Sequence, residues 1–241
     1  MNRRVEVLPD AAALAKAAAE EFTRAAEASK GPFRVALSGG QTPRTLNELL
    51  ADEKGPYRAR IPWDRLQFFW GDERCVPPDH ADSNYRMALE SLLSRVPVAP
   101  GQVHRVQGEL PNADAAADLY EGELLRVFDG LPRFDWVFLG LGPDGHTASL
   151  FPGTLAVVET KKLVTAVWVE QKKSRRVTLT RPVLNSARKV CFLVAGTDKA
   201  GAARRAIAEE PSDACPASLI QPPVGELVWF LDRGAAALLK S

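Results

Sequence analysis

The first candidate for chemistry in this sequence is a histidine at the end of a glycine-rich turn. His146 follows Gly140-Leu-Gly142-Pro-Asp144-Gly145, which itself follows an apolar run from Phe134 to Leu139. The apolar run reads as a buried strand. The glycines and Pro143 then require a tight turn. A histidine held there is placed to move a proton near neutral pH. A histidine capping a short helix would show the same residue types, so position alone leaves both readings open.

The second candidate is an anion site. Phe33 to Leu37 reads as a strand, Ser38-Gly39-Gly40-Gln-Thr42-Pro43 follows, and a helix carrying Leu46, Leu49 and Leu50 comes next. Glycines let the backbone approach a phosphate, free N–H groups point at it, and the helix dipole favours it. Ser38 and Thr42 can add hydroxyl donors, and Arg44 lies nearby. Thr42 suits the N-cap and Pro43 the first helical position. The pattern GxxxxGK[ST] is missing, so this is not a nucleotide P-loop.

Charged residues also gather after two further strands. Leu66 to Trp70 ends in Gly71-Asp72-Glu73-Arg74. Arg74 has the geometry to bind a phosphate or carboxylate in bidentate fashion, and Asp72 could hold Arg74 or bind sugar hydroxyls. Lys189 to Val194 ends in Ala195-Gly196-Thr-Asp198-Lys199, where Lys199 can reach an anion as a point charge. A basic cluster of Lys172, Lys173, Arg175 and Arg176 reads as a loop before the strand Val177 to Thr180. Arg176 is its best candidate for framing an anionic substrate.

Other polar residues read as structural. His80 lies in an exposed polar stretch, His104 has no evident partner, and Cys75 reads as a buried thiol. Gly140 to Gly145 satisfies GxGxxG, but Pro152-Gly153 stops any following helix within two turns. Pro143 also stiffens a loop that would have to wrap a pyrophosphate, so a dinucleotide fingerprint is rejected.

Strands alternate with helices along the whole chain. That predicts a single α/β domain over residues 1–241, with a doubly wound, mostly parallel sheet and helices on both faces. The chain has 241 residues, 46% hydrophobic and 25% charged, with a net charge of +1, which gives no sign of nucleic-acid binding. No apolar run approaches a membrane span, and the amino-terminal stretch does not read as a signal peptide. Cys75, Cys191 and Cys215 are widely spaced, which favours a reducing cytoplasm over a disulfide framework. No metal-ligand spacing is present, so metal-free chemistry without a cofactor is expected. Cations around one titratable base suit a small phosphorylated substrate. A base with no Ser or Cys partner suits activation of water or abstraction of a substrate proton.

The same residues resemble a known family. Ser38-Gly-Gly-x-Thr-Pro43, Trp70-Gly-Asp-Glu-Arg-x-Val-Pro77, Gly140-Leu-Gly-x-Asp-Gly-His-Thr-Ala-Ser-Leu-Phe-Pro152, Arg176-Val-Thr-Leu-Thr180, Gly196-x-x-Lys199-Ala and Pro216-Ala-Ser are similar to the 6-phosphogluconolactonases. The resemblance runs in order from about Ser38 to Trp229. It implies a fold similar to glucosamine-6-phosphate deaminase. It also implies hydrolysis of 6-phospho-D-glucono-1,5-lactone in the oxidative pentose phosphate pathway, with glucose-6-phosphate dehydrogenase a candidate transient partner. Under that resemblance His146 is the general base, Asp144 orients or tunes it, and Arg74 serves either the carbonyl oxyanion or the phosphate. Ser38, Gly39, Gly40, Thr42, Arg44, Arg176 and Lys199 are then the phosphate candidates. A deaminase-type isomerase is the nearest alternative, but it would need a carboxylate where this chain has Ser149-Leu-Phe-Pro152. A non-catalytic sugar-phosphate sensor would keep the anion site without needing His146.

Overall fold

Apolar runs bounded by Gly, Pro and Asp build the central strands, and amphipathic Ala-rich stretches build the helices between them. In the computed structural model, which describes residues 2–239, the chain opens with β1 (Asn2–Leu8) and α1 (Ala11–Ala28). β2 (Phe33–Leu37), α2 (Gln41–Ala51), β3 (Leu66–Trp70), β4 (Asp72–Arg74) and α3 (Asn84–Ser91) follow. Next come α4 (Ala113–Phe128), β5 (Trp136–Leu139), the short α5 (Leu155–Val158), β6 (Val164–Val169) and β7 (Ser174–Leu179). α6 (Arg181–Ser186), β8 (Lys189–Val194), α7 (Ala200–Ala208) and β9 (Glu226–Asp232) complete the order.

Six strands form one parallel sheet in the order β1-β9-β8-β5-β2-β3. From β2 the chain steps outward to β3. From β5 it steps the other way, through β8 to β9. The winding therefore reverses between β2 and β5, and a crevice opens there at the carboxyl ends of the strands. Register places Val35 level with Phe68 and Trp136, and Ala36 level with Phe69 and Val137. Side chains alternate along a strand, so these two sets face opposite ways. Phe22 of α1 packs on Trp136 and Phe138, whereas Phe128 of α4 packs on Phe69. Helices thus cover both faces, as a doubly wound sheet requires.

Three helices start on residue types that favour the N-cap position. Asp10 accepts from the Ala13 N–H, Ser83 from Arg86 and Asn112 from Asp114. The start of α2 differs from expectation. Gly40 is its N-cap, so Thr42 and Pro43 lie inside the first turn. Pro43 is tolerated there because N–H groups of the first turn have no helical acceptor.

A second sheet was not expected. β4, β7 and β6 pair antiparallel in that order. Arg175 and Arg176, read from sequence as loop, are therefore strand residues. The strand Asp72-Glu73-Arg74 has no apolar period of its own and exists by pairing with β7. His104 is structural, as expected. Its ring stacks on Phe69 and lies between Glu123 and Gln67, 2.6 and 2.7 Å from their oxygens.

One ion cluster ties the edge of the main sheet to α1. Lys189 lies 2.5 Å from Glu21 and 2.7 Å from Glu226, and Arg4 also pairs with Glu21. Burial pushes the Glu21 carboxyl up, but Lys189 and Arg4 outweigh it and leave its pKa lowered. A lowered carboxylate adds stability that is present above its unfolded value of 4.5 and is lost as pH falls through the folded value. Glu21→Gln should therefore cost about 2 kcal/mol at pH 7, and the deficit should shrink in acid. Denaturant melts of both proteins at pH 7 and below pH 4 check this; a deficit constant with pH would rule out the ionic cause.

Candidate active site

The carboxyl ends of β2, β5 and β8, together with the β4–β7 ladder, converge on a cleft of about 340 Å³. Ser38, Gly39 and Gly40 line it from the β2–α2 turn, and Asp72 and Arg74 from β4. His146 lines it from the loop after β5, Arg176 from β7 and Lys199 from the β8–α7 turn. Three residues predicted from sequence lie outside the wall. Thr42 is half-buried on the first turn of α2. Arg44 pairs with Glu90 of α3 at 3.5 Å. Asp144 stands behind His146.

The loop after β5 is built to hold the histidine. Thr147 Oγ1 donates to the Gly140 carbonyl at 2.8 Å, and the Gly142 N–H donates to the His146 carbonyl at 2.9 Å. A Cβ on Gly142 would lie 2.0 Å from His146 Nδ1 and 2.6 Å from Asp144 Oδ1, so only glycine leaves room for this pair. Ala148 takes a left-handed backbone with φ 46°, a conformation that costs a non-glycine residue about 1 kcal/mol. No helix follows directly, since Thr147 and Leu150 form a bridge and α5 begins only at Leu155. The reading of His146 as a helix cap therefore does not hold.

His146 Nδ1 lies 2.6 Å from Asp144 Oδ1. Burial raises the Asp144 pKa, but the His146 N–H and ring outweigh it, so the carboxyl titrates below its ordinary value and acts as an acceptor. Nδ1 must then carry the proton, which leaves a lone pair on Nε2. Burial lowers the His146 pKa below 6.5 despite Asp144 and Asp72, and the Arg176 charge lowers it further. The ring is therefore neutral at pH 7 and available as a base. It stacks on Phe151, with centroids 3.9 Å apart, and the Arg176 guanidinium lies 5.6 Å from the centroid of that same ring.

The cationic side is equally specific. β4 and β7 pair so that Arg74 lies opposite Arg176. Like charges directly opposite destabilise a ladder unless an anion joins them. Arg74 Nη1 donates to the Asp82 carbonyl, whereas its buried Nε has no partner among the described residues. Burial lowers the Arg176 pKa, and Asp72, 3.8 Å from its Nη1, opposes that shift. Lys199 is held 2.9 Å from Asp198.

Asp72 is a junction. Its Oδ2 accepts from Ser149 Oγ at 2.6 Å, and its carbonyl accepts from Asn84 Nδ2 at 2.8 Å. Its neighbour Glu73 accepts from the N–H groups of Arg74, Asn84 and Tyr85, fixing the start of α3 against β4. Burial pushes the Glu73 carboxyl up despite these donors. Asn84, Phe151 and Lys172 also line the cleft and were not singled out as site residues from sequence. Lys172 carried a signal as part of the basic cluster. Asn84 reads locally as an ordinary helix start.

A doubly wound α/β protein with one histidine beside clustered cations at its switch point has the features suited to binding small phosphorylated metabolites. The chain is a member of the family described as Glucosamine-6-phosphate isomerases/6-phosphogluconolactonase, whose model matches residues 9–229. It is 41% identical to the 6-phosphogluconolactonase of Nostoc sp. over 99% of both chains. It is also 41% identical to a rice protein called probable 6-phosphogluconolactonase 4, chloroplastic, over 96% of this chain and 74% of that one. Among solved structures, 6-phosphogluconolactonase from Trypanosoma cruzi aligns with a TM-score of 0.87 and 32% identity over 100% of this chain and 99% of that one. A monomeric glucosamine-6-phosphate deaminase shares the fold at a TM-score of 0.81 and 20% identity, over 98% of this chain and 99% of that one.

Proposed function

We propose that this chain hydrolyses 6-phospho-D-glucono-1,5-lactone to 6-phospho-D-gluconate in the oxidative pentose phosphate pathway, with His146 as general base on water. The observation that carries the assignment is the 2.6 Å His146–Asp144 contact inside a cleft lined by Arg74, Arg176 and Lys199. Water adds to the lactone carbonyl carbon as Nε2 removes its proton. An oxyanion forms on the carbonyl oxygen, where Arg74 or Arg176 offsets its charge. Collapse breaks the bond to the ring oxygen, and the imidazolium returns its proton to that leaving oxygen. Lys199 and the Ser38-Gly39-Gly40 turn hold the phosphate, so binding energy remote from the carbonyl positions it for attack. Asp144 keeps the lone pair of His146 on Nε2.

The test is the loss of freshly generated lactone with and without the protein, against the spontaneous rate. No acceleration would sink the proposal. Acidity adds a second check. The base must be neutral, and its pKa is lowered, so the acid limb of kcat/KM should fall below pH 6.5. Asp144 raises the His146 pKa, so Asp144→Asn should move the limb to still lower pH while reducing turnover. A limb that stays in place would separate Asp144 from the base.

The same reading takes residues 1–241 as one domain, supported by one continuous apolar core. It places the chain in the cytoplasm, supported by three cysteines that are free thiols. Among the described residues no helix is long and apolar enough to cross a membrane. A transient contact with glucose-6-phosphate dehydrogenase belongs to the reading only through the origin of the lactone.

A further inference from the structure

The cleft is rich in donors, with Arg74, Lys172, Arg176 and Lys199 all in its wall. One acceptor facing the cleft stands against this pattern. Asn84 is the first residue of α3, is 2% exposed and lines the cleft. Its backbone N–H is taken by Glu73 Oε1 at 2.8 Å. Its Nδ2 donates to the Asp72 carbonyl at 2.8 Å and lies 3.3 Å from Asp72 Oδ1. A flipped amide would set its oxygen against both Asp72 oxygens, so the orientation is determined. The carbonyl oxygen therefore points the other way, toward the Ser38-Gly39-Gly40 turn. A Cβ built on Gly39 would lie 1.9 Å from Asn84 Oδ1, which explains the glycine there and locates the oxygen at the turn. Among the described residues no donor reaches Oδ1.

Asn84 Oδ1 opens on the cleft, where water can satisfy it, and a ligand that displaces that water must supply a donor in its place or leave the acceptor unpaired. A fully ionised phosphate has only acceptors to offer, and so does a lactone carbonyl. A ring hydroxyl is a donor. We infer that Asn84 Oδ1 accepts a hydrogen bond from one hydroxyl of the sugar ring, which makes Asn84 a specificity-determining residue for polyhydroxylated lactones. The inference rests on the cleft being the lactone site. Asp72 sets the Asn84 amide, and Ser149 and Arg176 in turn hold Asp72, so the hydroxyl reader is braced by the same elements that carry the base and the cations.

The test pairs substrate and residue. Wild type and Asn84→Ala are assayed on 6-phosphogluconolactone and on its 2-, 3- and 4-deoxy analogues. With wild type, one analogue should lose roughly 10- to 100-fold in kcat/KM, the penalty for an acceptor that the bound ligand desolvates without supplying a donor. Asn84→Ala should lose a similar factor on the parent lactone and nothing further on that one analogue. Loss of Asn84 as a mere structural brace would lower all four substrates equally and overturn the inference. So would wild-type activity indifferent to every missing hydroxyl, a result that does not depend on the variant folding. Absence of any acceleration of the parent lactone by wild type would instead count against the proposed function itself.

Discussion

His146→Ala should lower kcat by roughly 10²- to 10⁴-fold, the usual contribution of a positioned general base, while KM changes little. Two features support the size. The ring is neutral at pH 7 because burial lowers its pKa, so the base is present in its active form. Its orientation is also fixed twice, by Asp144 at Nδ1 and by stacking on Phe151. Binding should survive because the cations stand on other elements: Arg74 on β4, Arg176 on β7 and Lys199 between β8 and α7. Residual catalysis above the spontaneous rate should remain from the cations alone. His146→Gln fills the space over Phe151 without a comparable base, and should fail as badly as alanine. Steady-state kinetics on fresh lactone read the outcome. A raised KM with turnover intact would make His146 a binding residue and leave the reaction without an identified base.

Much of this site was legible because its parts are local. Phe33 to Leu37, Leu66 to Trp70 and Lys189 to Val194 are apolar runs closed by Ser-Gly, Gly-Asp and Ala-Gly, and each is a strand with those bounds. Charged or glycine-rich residues at such strand ends are what a switch-point crevice needs. What escaped the sequence is long-range. β4 is three charged residues, Asp72-Glu73-Arg74, and becomes a strand only by pairing with residues about a hundred positions away. The opposition of Arg74 and Arg176 is a fact of that register and leaves no mark in either segment. Arg44 shows the opposite error. It sits beside a phosphate-like turn in sequence, but the helical direction after Gly40 carries it to Glu90. Asn84 is not legible in the sequence because a helix start commonly uses asparagine for capping, whereas here Ser83 caps and Asn84 faces Asp72 and Gly39.

Lys199→Ala should act on the other half of the problem, raising KM for the phosphorylated lactone by ~10- to 100-fold with kcat little changed, as expected for loss of one charge-assisted contact. The lysine ends the short turn that follows Gly196, whose N–H is held by Asp232 at 3.0 Å, so the base of the turn is fixed. Its ammonium rests on Asp198 at 2.9 Å, with the side chain 24% exposed. An arriving phosphate has to compete with that carboxylate, which keeps the gain below that of a wholly unpaired lysine. The proposed phosphate contact lies away from the bond being broken, so its loss should affect ground state and transition state alike and appear in KM. Unphosphorylated gluconolactone provides the internal control. Wild type and variant should hydrolyse it equally slowly, because neither uses Lys199 on a substrate without phosphate. If the variant lost turnover on both lactones, Lys199 would belong with the groups acting at the carbonyl, and phosphate anchoring would fall to Arg74 and Arg176.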